Sequence, residues 1–235
     1  MTELKDDLIP VRAPYAGELI EVVKNNDFEA VQDLLARNAN ANDKNTSGSS
    51  ALMHAADGGF VKIARLLISK GALVNWKNDG GETALMAAAQ NGHAEMAQLL
   101  IDKGAIIDAK RKFGGTALMM TVFGEHTEAA RVLLDNGAAL EEANLYGDTA
   151  LTWAADFGKE SLVRLFVDRG AALDHKNDKG ETARDCALGN KHASVVLMLE
   201  KAAEAEKERL RSEGVAVKQR WMKNKAKNRP KPPGM

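Results

Sequence analysis

One short phrase recurs five times along the chain at a constant spacing. Each copy starts with Ser or Thr followed by Ala, and the copies begin at Ser50, Thr83, Thr116, Thr149 and Thr182, 33 residues apart. A constant period of this length indicates an array of one supersecondary unit, because each unit buries its apolar face only against its neighbours. The sequence therefore predicts one elongated domain rather than a globular domain around a single core.

The most regular unit, residues 81–108, predicts two short helices separated by a tight turn. Thr83 can accept hydrogen bonds from the free amide groups of a first helix, and Asn91-Gly92 can end that helix. A second helix is expected to end at Gly104. The polar, turn-rich segment that follows indicates a hairpin or an extended loop.

This unit resembles the ankyrin repeat. The resemblance rests on the 33-residue period, on the pair Gly92-His93, and on a Leu-Leu…Gly-Ala phrase that appears as Leu99-Leu100…Gly104-Ala105. The family's Pro after the Thr is Ala in all five copies, and its His is replaced throughout. The resemblance implies an all-α solenoid of helix-turn-helix units joined by hairpin loops.

The period also divides the chain. Counting back 33 residues from Ser50 reaches Gly17, where a degenerate unit begins. An N-terminal extension, residues 1–13, precedes the repeats, and residues 204–235 follow them as a charged helical extension with a basic, Pro-containing tail. We expect Gly214 to end the charged helix. The six predicted repeats, within residues 14–203, are 14–46, 47–79, 80–112, 113–145, 146–178 and 179–203.

The His and Cys residues, which are candidates for a catalytic or metal-binding site, are better explained by the repeat pattern. His93, His126 and His192 occupy one recurring position at the start of the second helix. His54 and His175 stand singly, without the spacing of a metal site, and Cys186 lies in a helix expected to be buried. The sequence therefore predicts a non-catalytic protein with no metal site and no cofactor.

The predicted partner-binding face contains an unusual number of aromatic residues. In the ankyrin family, partners contact the hairpin tips and the inner side of the first helices. Five of the 11 aromatic residues fall on these positions in two adjacent repeats. Large apolar side chains on such a surface indicate an anchor for a partner. The predicted binding residues are Phe113, Met120, Phe123, Tyr146, Trp153, Phe157 and Lys112.

An alternative explanation remains open for these rings: they pack between repeats, or under the C-terminal extension if it folds back over the groove. Basic side chains at Lys110, Arg111 and Arg131 would add positive charge beside the patch.

Residues 214–235 carry seven basic residues and no acidic one, which leaves 25 basic against 33 acidic residues in 1–213. This tail could bind nucleic acid through phosphate contacts and stacking, serve as an import signal, dock on an acidic protein, or only solubilise the chain. The acidic repeats would repel phosphate. The tail residues considered are Lys218, Arg220, Trp221, Lys223, Lys225, Lys227 and Arg229.

Taken together, these features favour an interaction or scaffold protein that binds one protein partner on its concave face, as a monomer within a complex. The alternative is a structural subunit of a large assembly, such as a ribonucleoprotein, tethered by the basic tail. We expect no membrane segment and an intracellular, cytoplasmic location, because the single Cys excludes an intrachain disulfide and no secretory signal is evident.

Overall fold

The helices of this chain come in six pairs. The structure, a computed structural model, describes the backbone of residues 17–227 and the side chains of residues 17–214. Within that range it contains no β-strand beyond one isolated bridge between Lys44 and Ser50, which confirms the predicted all-α class. The helices are α1 (Glu18–Lys24), α2 (Phe28–Ala36), α3 (Ala51–Asp57), α4 (Val61–Ser69), α5 (Ala84–Gln90), α6 (Ala94–Asp102), α7 (Ala117–Met120), α8 (Thr127–Asp135), α9 (Ala150–Asp156), α10 (Glu160–Asp168), α11 (Ala183–Gly189) and α12 (Ala193–Lys227).

The recurring Ser or Thr begins the first helix of each of the last five pairs, as predicted. Its side-chain oxygen accepts the backbone N–H of the residue three positions later; at Thr83 the donor is Met86, 3.3 Å away. Thr149 and Thr182 form complete capping boxes, in which Thr152 and Asp185 accept the backbone N–H of the cap in return. The cap satisfies amide groups that the opening turn leaves free.

A glycine in the left-handed region follows the second helix in four consecutive repeats. Its φ lies between 85° and 90°, a conformation that is costly for a residue with a Cβ atom. The next residue then folds back onto the helix: the Ala72 N–H, after Gly71, donates to the Leu67 carbonyl at 3.0 Å. These glycines are Gly71, Gly104, Gly137 and Gly170.

The pairs stack into two layers with a continuous core between them. Each first helix packs on the first helix of the next pair, and each second helix packs on the next second helix. Alanines such as Ala88 and Ala89 are completely buried and keep the first helices narrow. Larger side chains, among them Leu67, Leu100 and Phe166, fill the space between the layers. The stack therefore has no single centre, as the period predicts.

Side chains in the loops join each repeat to the next. The Asn75 side chain accepts the Ile106 N–H at 2.8 Å and donates to the Gly104 carbonyl at 2.8 Å, and Asn42 makes the same two contacts one repeat earlier. Asp108 and Glu141 occupy the same position and accept one backbone N–H each from the following repeat. One loop side chain per repeat therefore ties neighbouring loops together.

The hairpin tips are joined by one backbone hydrogen bond at each step. The Leu145 N–H donates to the Phe113 carbonyl at 3.1 Å, and the Asp178 N–H donates to the Tyr146 carbonyl at 3.0 Å. The same bond links the earlier tips, from Asp79 to Ser47 and from Lys112 to Gly80. The tips therefore form a continuous row along one edge of the stack.

The fourth pair departs from the others. Helix α7 has four residues, whereas α3, α5, α9 and α11 have seven each. Thr121 stands where those helices carry a buried Ala, and its hydroxyl donates to the Leu118 carbonyl at 2.6 Å. The following N–H groups reach back three residues instead of four, as that of Val122 does to the Met119 carbonyl. The chain therefore tightens into 3₁₀-type turns after Met120.

The prediction that Gly214 ends the last helix is wrong. Helix α12 runs without interruption from Ala193 to Lys227, through Gly214, so residues 214–227 of the expected tail are helical. A single interior Gly lowers helix stability by only about 1 kcal/mol. The neighbours of Gly214 are mostly good helix formers, and the first Pro beyond it is Pro230. The Gly residues that follow the second helices, such as Gly71 and Gly104, have positive φ, which Gly214 does not.

The caps can be tested at Thr83, which is almost fully buried. We expect Thr83→Ala to lower the free energy of unfolding by about 1 kcal/mol, because Met86 N–H loses its acceptor. Thr83→Ser keeps the hydroxyl and serves as the matched control. Urea unfolding followed by circular dichroism measures both. Equal stability of the Ala variant and the parent would contradict the role given to the cap.

Candidate functional site

The hairpin tips and the exposed sides of the first helices form one continuous surface, which we call the inner face. Because the repeats are in register, each contributes side chains from the same positions. In the second and third repeats these side chains are polar: Ser47, Asp57, Asp79, Gln90 and Asn91 are all exposed there. The inner face of these repeats offers hydrogen-bonding groups and little apolar area.

The fourth and fifth repeats present large rings at the same positions. Phe113 and Tyr146 lie at successive hairpin tips, while Phe123 and Phe157 follow the first helices. Their relative exposure lies between 46 % and 62 %. Leu145, next to Tyr146, is 68 % exposed. The predicted binding residues leave out Leu145, although its place at a hairpin tip is one of the positions that ankyrin repeats use for partners.

Three of the rings form a cluster, which we call the aromatic cluster: Phe123, Trp153 and Phe157. The ring centroids of Phe123 and Trp153 are 5.4 Å apart in an edge-on arrangement, and Phe157 lies 6.1 Å from Phe123 and 6.4 Å from Trp153. Trp153 is half-buried and packs on the core, so it supports the two exposed rings. Phe123 belongs to the fourth repeat and the other two to the fifth, so the cluster spans their junction.

The same positions hold a hydrogen-bonded pair elsewhere in the stack. Asn91 donates to Asp57 Oδ1 at 2.9 Å between the second and third repeats, and Asn190 donates to Asp156 Oδ1 at 2.7 Å between the fifth and sixth. Phe123 takes the place of the Asp, and Phe157 takes the place of the Asn. An exposed aromatic pair therefore stands where two other junctions have a hydrogen-bonded polar pair.

Acidic side chains lie next to the aromatic cluster on its C-terminal side. Asp148, Asp156 and Glu181 are half-buried on the inner face of the fifth and sixth repeats. Their charge is felt at Cys186, which takes the position of Trp153 one repeat later. Burial, followed by the charges of Glu181, Asp156 and Asp148, raises the pKa of the Cys186 thiol to about 11, although Lys179 acts in the opposite direction.

A family model described as ankyrin repeats in three copies matches residues 19–111 and 106–177. The chain belongs to the ankyrin-repeat family. The match confirms the resemblance drawn from the period, and no curated protein matches the chain. The matched residues end before α11, yet α11 and the first turns of α12 pack on α9 and α10 as the earlier pairs do.

Ankyrin repeats are generally protein–protein interaction modules, and the family is typically non-catalytic. Among the described residues, no group of three His, Cys, Asp or Glu side chains is arranged to hold a metal ion. No helix in the described part of the chain is long and apolar enough to cross a membrane.

The histidines of this ankyrin-repeat protein lie in its scaffold. The Nε2 atoms of His93 and His192 are hydrogen-bonded to the carbonyls of Asp57 and Asp156 in the preceding repeat, at 2.9 and 3.0 Å. His175 lies 2.8 Å from the Gly147 carbonyl, the contact that the Trp76 indole makes with Gly48 three repeats earlier. The junction under the aromatic cluster has Lys159 at the position that holds His93, His126 and His192 at three other junctions.

Met120 does not belong to the exposed surface, contrary to the sequence prediction. It is 1 % exposed, because α7 tightens immediately after it and because Gly115 leaves space beside it. A Cβ atom on Gly115 would lie 3.1 Å from the Met120 Cε atom. Met120 therefore fills space inside the fourth repeat and is unavailable to a partner.

The basic residues near the cluster are mostly paired. Lys110 forms an ion pair with Glu142 at 2.7 Å, Arg111 with Glu82 at 3.3 Å, and Arg131 with Glu128 at 3.5 Å. Lys112 remains exposed at the hairpin tip that carries Phe113. The positive charge expected beside the patch is thus largely neutralised within the protein.

All seven tail residues named from the sequence fall beyond the described side chains. The positions from Lys218 to Lys227 lie on the backbone of α12, and Arg229 lies outside the described residues. Helix α12 packs on α10 and α11, and the four rings at Phe113, Phe123, Tyr146 and Phe157 stay exposed. The described part of the extension therefore leaves the aromatic cluster open.

The structural role of the Phe123–Phe157 pair can be tested by replacing it with the Asp–Asn pair of the other junctions. We expect the double variant F123D/F157N to keep its free energy of unfolding within about 1 kcal/mol of the parent. A ring pair and a net hydrogen bond have similar values, each of about 1 kcal/mol. Thermal and urea unfolding by circular dichroism measure the change. A loss of several kcal/mol would show that the rings hold the fourth and fifth repeats together.

The acidic side chains can be tested through the Cys186 thiol. We expect D148N/D156N/E181Q to lower its pKa below the parent's value of about 11, because three charges that oppose the thiolate are removed while the amide groups keep the hydrogen-bond acceptors. The thiolate absorbance, followed in a pH titration, measures the pKa. An unchanged value would place these carboxylates too far from the sixth repeat's first helix to matter.

Proposed function

We propose that this chain is a non-catalytic interaction protein that binds one protein partner on its concave inner face, with the aromatic cluster as the main anchor. Phe113 and Tyr146 at the hairpin tips, with Lys112 beside them, would extend the contact along the row of tips. The observation that carries the proposal is the exposed Phe123–Phe157 pair, which stands where two other junctions use Asp and Asn.

The energetic argument concerns the rings and their support. A Phe pair about half exposed to water gains free energy when a partner covers it, and binding energy in interfaces is concentrated in a few residues of this kind. Trp153 holds both rings from below at 5.4 and 6.4 Å, so their orientation is set before a partner arrives. Little conformational entropy is then lost on binding, and more of the buried area contributes to affinity.

The proposal also concerns the oligomeric state, the cofactor requirement, the location and the partner class of the protein. We propose that it works as a monomer within a complex, without a cofactor, in the cytoplasm. The partner class is protein rather than nucleic acid for the repeats, because residues 1–213 contain eight more acidic than basic residues.

A second candidate function is that of a structural subunit, tethered to a large assembly by its C-terminal segment. The observation that favours it is helix α12, whose last 14 residues, 214–227, contain five Lys or Arg residues and no Asp or Glu. A basic helix of this kind can bind phosphate groups or an acidic protein surface. The triple variant K223E/K225E/K227E should release a subunit held in this way and should leave binding at the inner face unchanged.

The main proposal is tested by affinity capture with the full chain. We expect F123D/F157N to reduce recovery of the principal bound protein at least tenfold, because two anchors of about 1 kcal/mol or more each are replaced by polar groups. Quantitative mass spectrometry of crosslinked complexes measures the recovery.

The matched control removes two apolar side chains of similar exposure elsewhere. Leu73 and Ile106 are 54 % and 59 % exposed and occupy equivalent positions after successive second helices, so L73S/I106S should keep full recovery. Recovery that falls with L73S/I106S and not with F123D/F157N would move the binding site away from the inner face of the fourth and fifth repeats.

A further inference from the structure

The inner face directly beside the aromatic cluster carries different charge on its two sides, although Asp57 and Asp79 lie further along the N-terminal side. On the C-terminal side, Asp148 and Asp156 of the fifth repeat and Glu181 of the sixth are grouped around Cys186. On the N-terminal side, the position equivalent to Asp156 holds the neutral Gln90. The position equivalent to Asp148 holds Glu82, which is already paired with Arg111 at 3.3 Å.

The three carboxylates have only neutral hydrogen-bond partners. Asn177 donates to Asp148 Oδ1 at 3.0 Å and to Glu181 Oε2 at 3.4 Å, and the Asn190 amide donates to Asp156. Within residues 17–214 none of the three takes part in an ion pair, whereas acids elsewhere on the stack, such as Glu142, do. Amide partners fix the position of a carboxylate without cancelling its charge, so no ion pair neutralises these three carboxylates within residues 17–214.

Carboxylates in this setting interact strongly with an approaching cation. They are half-buried, so solvent screens them less than it screens fully exposed groups. Their charge also raises the pKa of the buried Cys186 thiol, which lies beneath this part of the inner face. Lys179, at the hairpin tip of the sixth repeat, opposes it.

On the basis of the function proposed above, we propose that the partner presents a linear segment in which apolar side chains lie next to Arg or Lys residues. The apolar side chains cover Phe123 and Phe157, and the basic ones meet Asp148, Asp156 and Glu181. Arg fits this site better than Lys, because its planar group can stack on a ring while its N–H groups bind carboxylates in pairs.

The position of the acids also fixes the direction of the segment. Its basic end points toward the sixth repeat, and its apolar part lies over the junction between the fourth and fifth repeats. Residues immediately on the far side of the apolar part meet Gln90 and the ion-paired Glu82, which favour uncharged side chains. An acidic segment would meet like charge at the C-terminal end of the groove and would be rejected.

The test begins with a phage-displayed library of random peptides selected on the full chain, with F123D/F157N as the counter-selection. We expect enriched peptides to combine aromatic or aliphatic residues with Arg or Lys and to contain few acids. Enrichment of neutral or acidic peptides that still require Phe123 and Phe157 would overturn this inference and leave the proposed function standing. Enrichment that is insensitive to F123D/F157N, or no enrichment at all, would overturn both.

The role of the acids is measured with the most enriched peptide as the probe. We expect D148N/D156N/E181Q to weaken its binding about tenfold at low salt and to flatten the dependence of affinity on ionic strength. The control E29Q/E95Q/E128Q removes the same number of charges from exposed sites on α2, α6 and α8 and should change affinity less than twofold. Equal losses in both variants would mean that only the net charge of the protein attracts the peptide.

A peptide of residues 214–227 of this chain belongs in the same measurement, because it carries Trp221 and Met222 among basic residues. We expect it to bind more weakly than the selected peptide. Binding of equal strength that is lost in F123D/F157N would make a second copy of this chain the occupant of the groove, and would overturn the inference of a separate partner.

Discussion

Every repeat of this protein depends on its neighbours to satisfy groups that it cannot satisfy alone. A pair of short helices has too little apolar surface for an independent core, and the loops between pairs leave backbone N–H and C=O groups without partners. The stack solves both problems at each step through buried alanines and leucines, one loop side chain such as Asn75 or Asp108, and one backbone bond between hairpin tips. These contacts recur every 33 residues, so the residue types at most positions of a repeat are determined by its contacts with the next repeat. The remaining positions can vary without loss of the fold and are available to bind a partner.

This division explains what the sequence could predict. The caps at Thr83 and its equivalents, the helix ends at Gly104 and its equivalents, and the all-α class follow from local physical rules that repetition reinforces. The environment of Met120 could not be predicted, because its burial depends on the shortened α7 and on the space beside Gly115. The length of α12 was missed for a different reason. Gly71 and its equivalents end helices because the chain enters the left-handed region there, whereas the chain at Gly214 stays helical.

The candidate site could be located by comparison of equivalent positions in the sequence, but the contacts between its side chains could be seen only in the structure. The sequence places Phe123 and Phe157 at the variable positions of the fourth and fifth repeats. It does not show that they meet across a junction, or that Asp–Asn pairs occupy the same place at two other junctions. That Asp148, Asp156 and Glu181 bond to neutral amides and form no ion pair likewise depends on the side chains that lie next to them. Arg111 reaches Glu82, and Asn177 reaches Asp148, although all four lie in equivalent hairpins.

The uninterrupted helix α12 connects the acidic inner face of the last repeats to the basic residues of 214–227. Its first turns are packed within the sixth repeat, and 35 residues at about 1.5 Å each give a rod of about 50 Å. The basic residues of 214–227 are therefore carried at a fixed distance and direction from the acidic groove, instead of sampling the volume open to a loose chain. A rigid helix of this kind fixes the distance between the two regions. Two ligands separated by the matching distance would be held at a high effective concentration, and a pair with any other spacing would gain nothing from being joined.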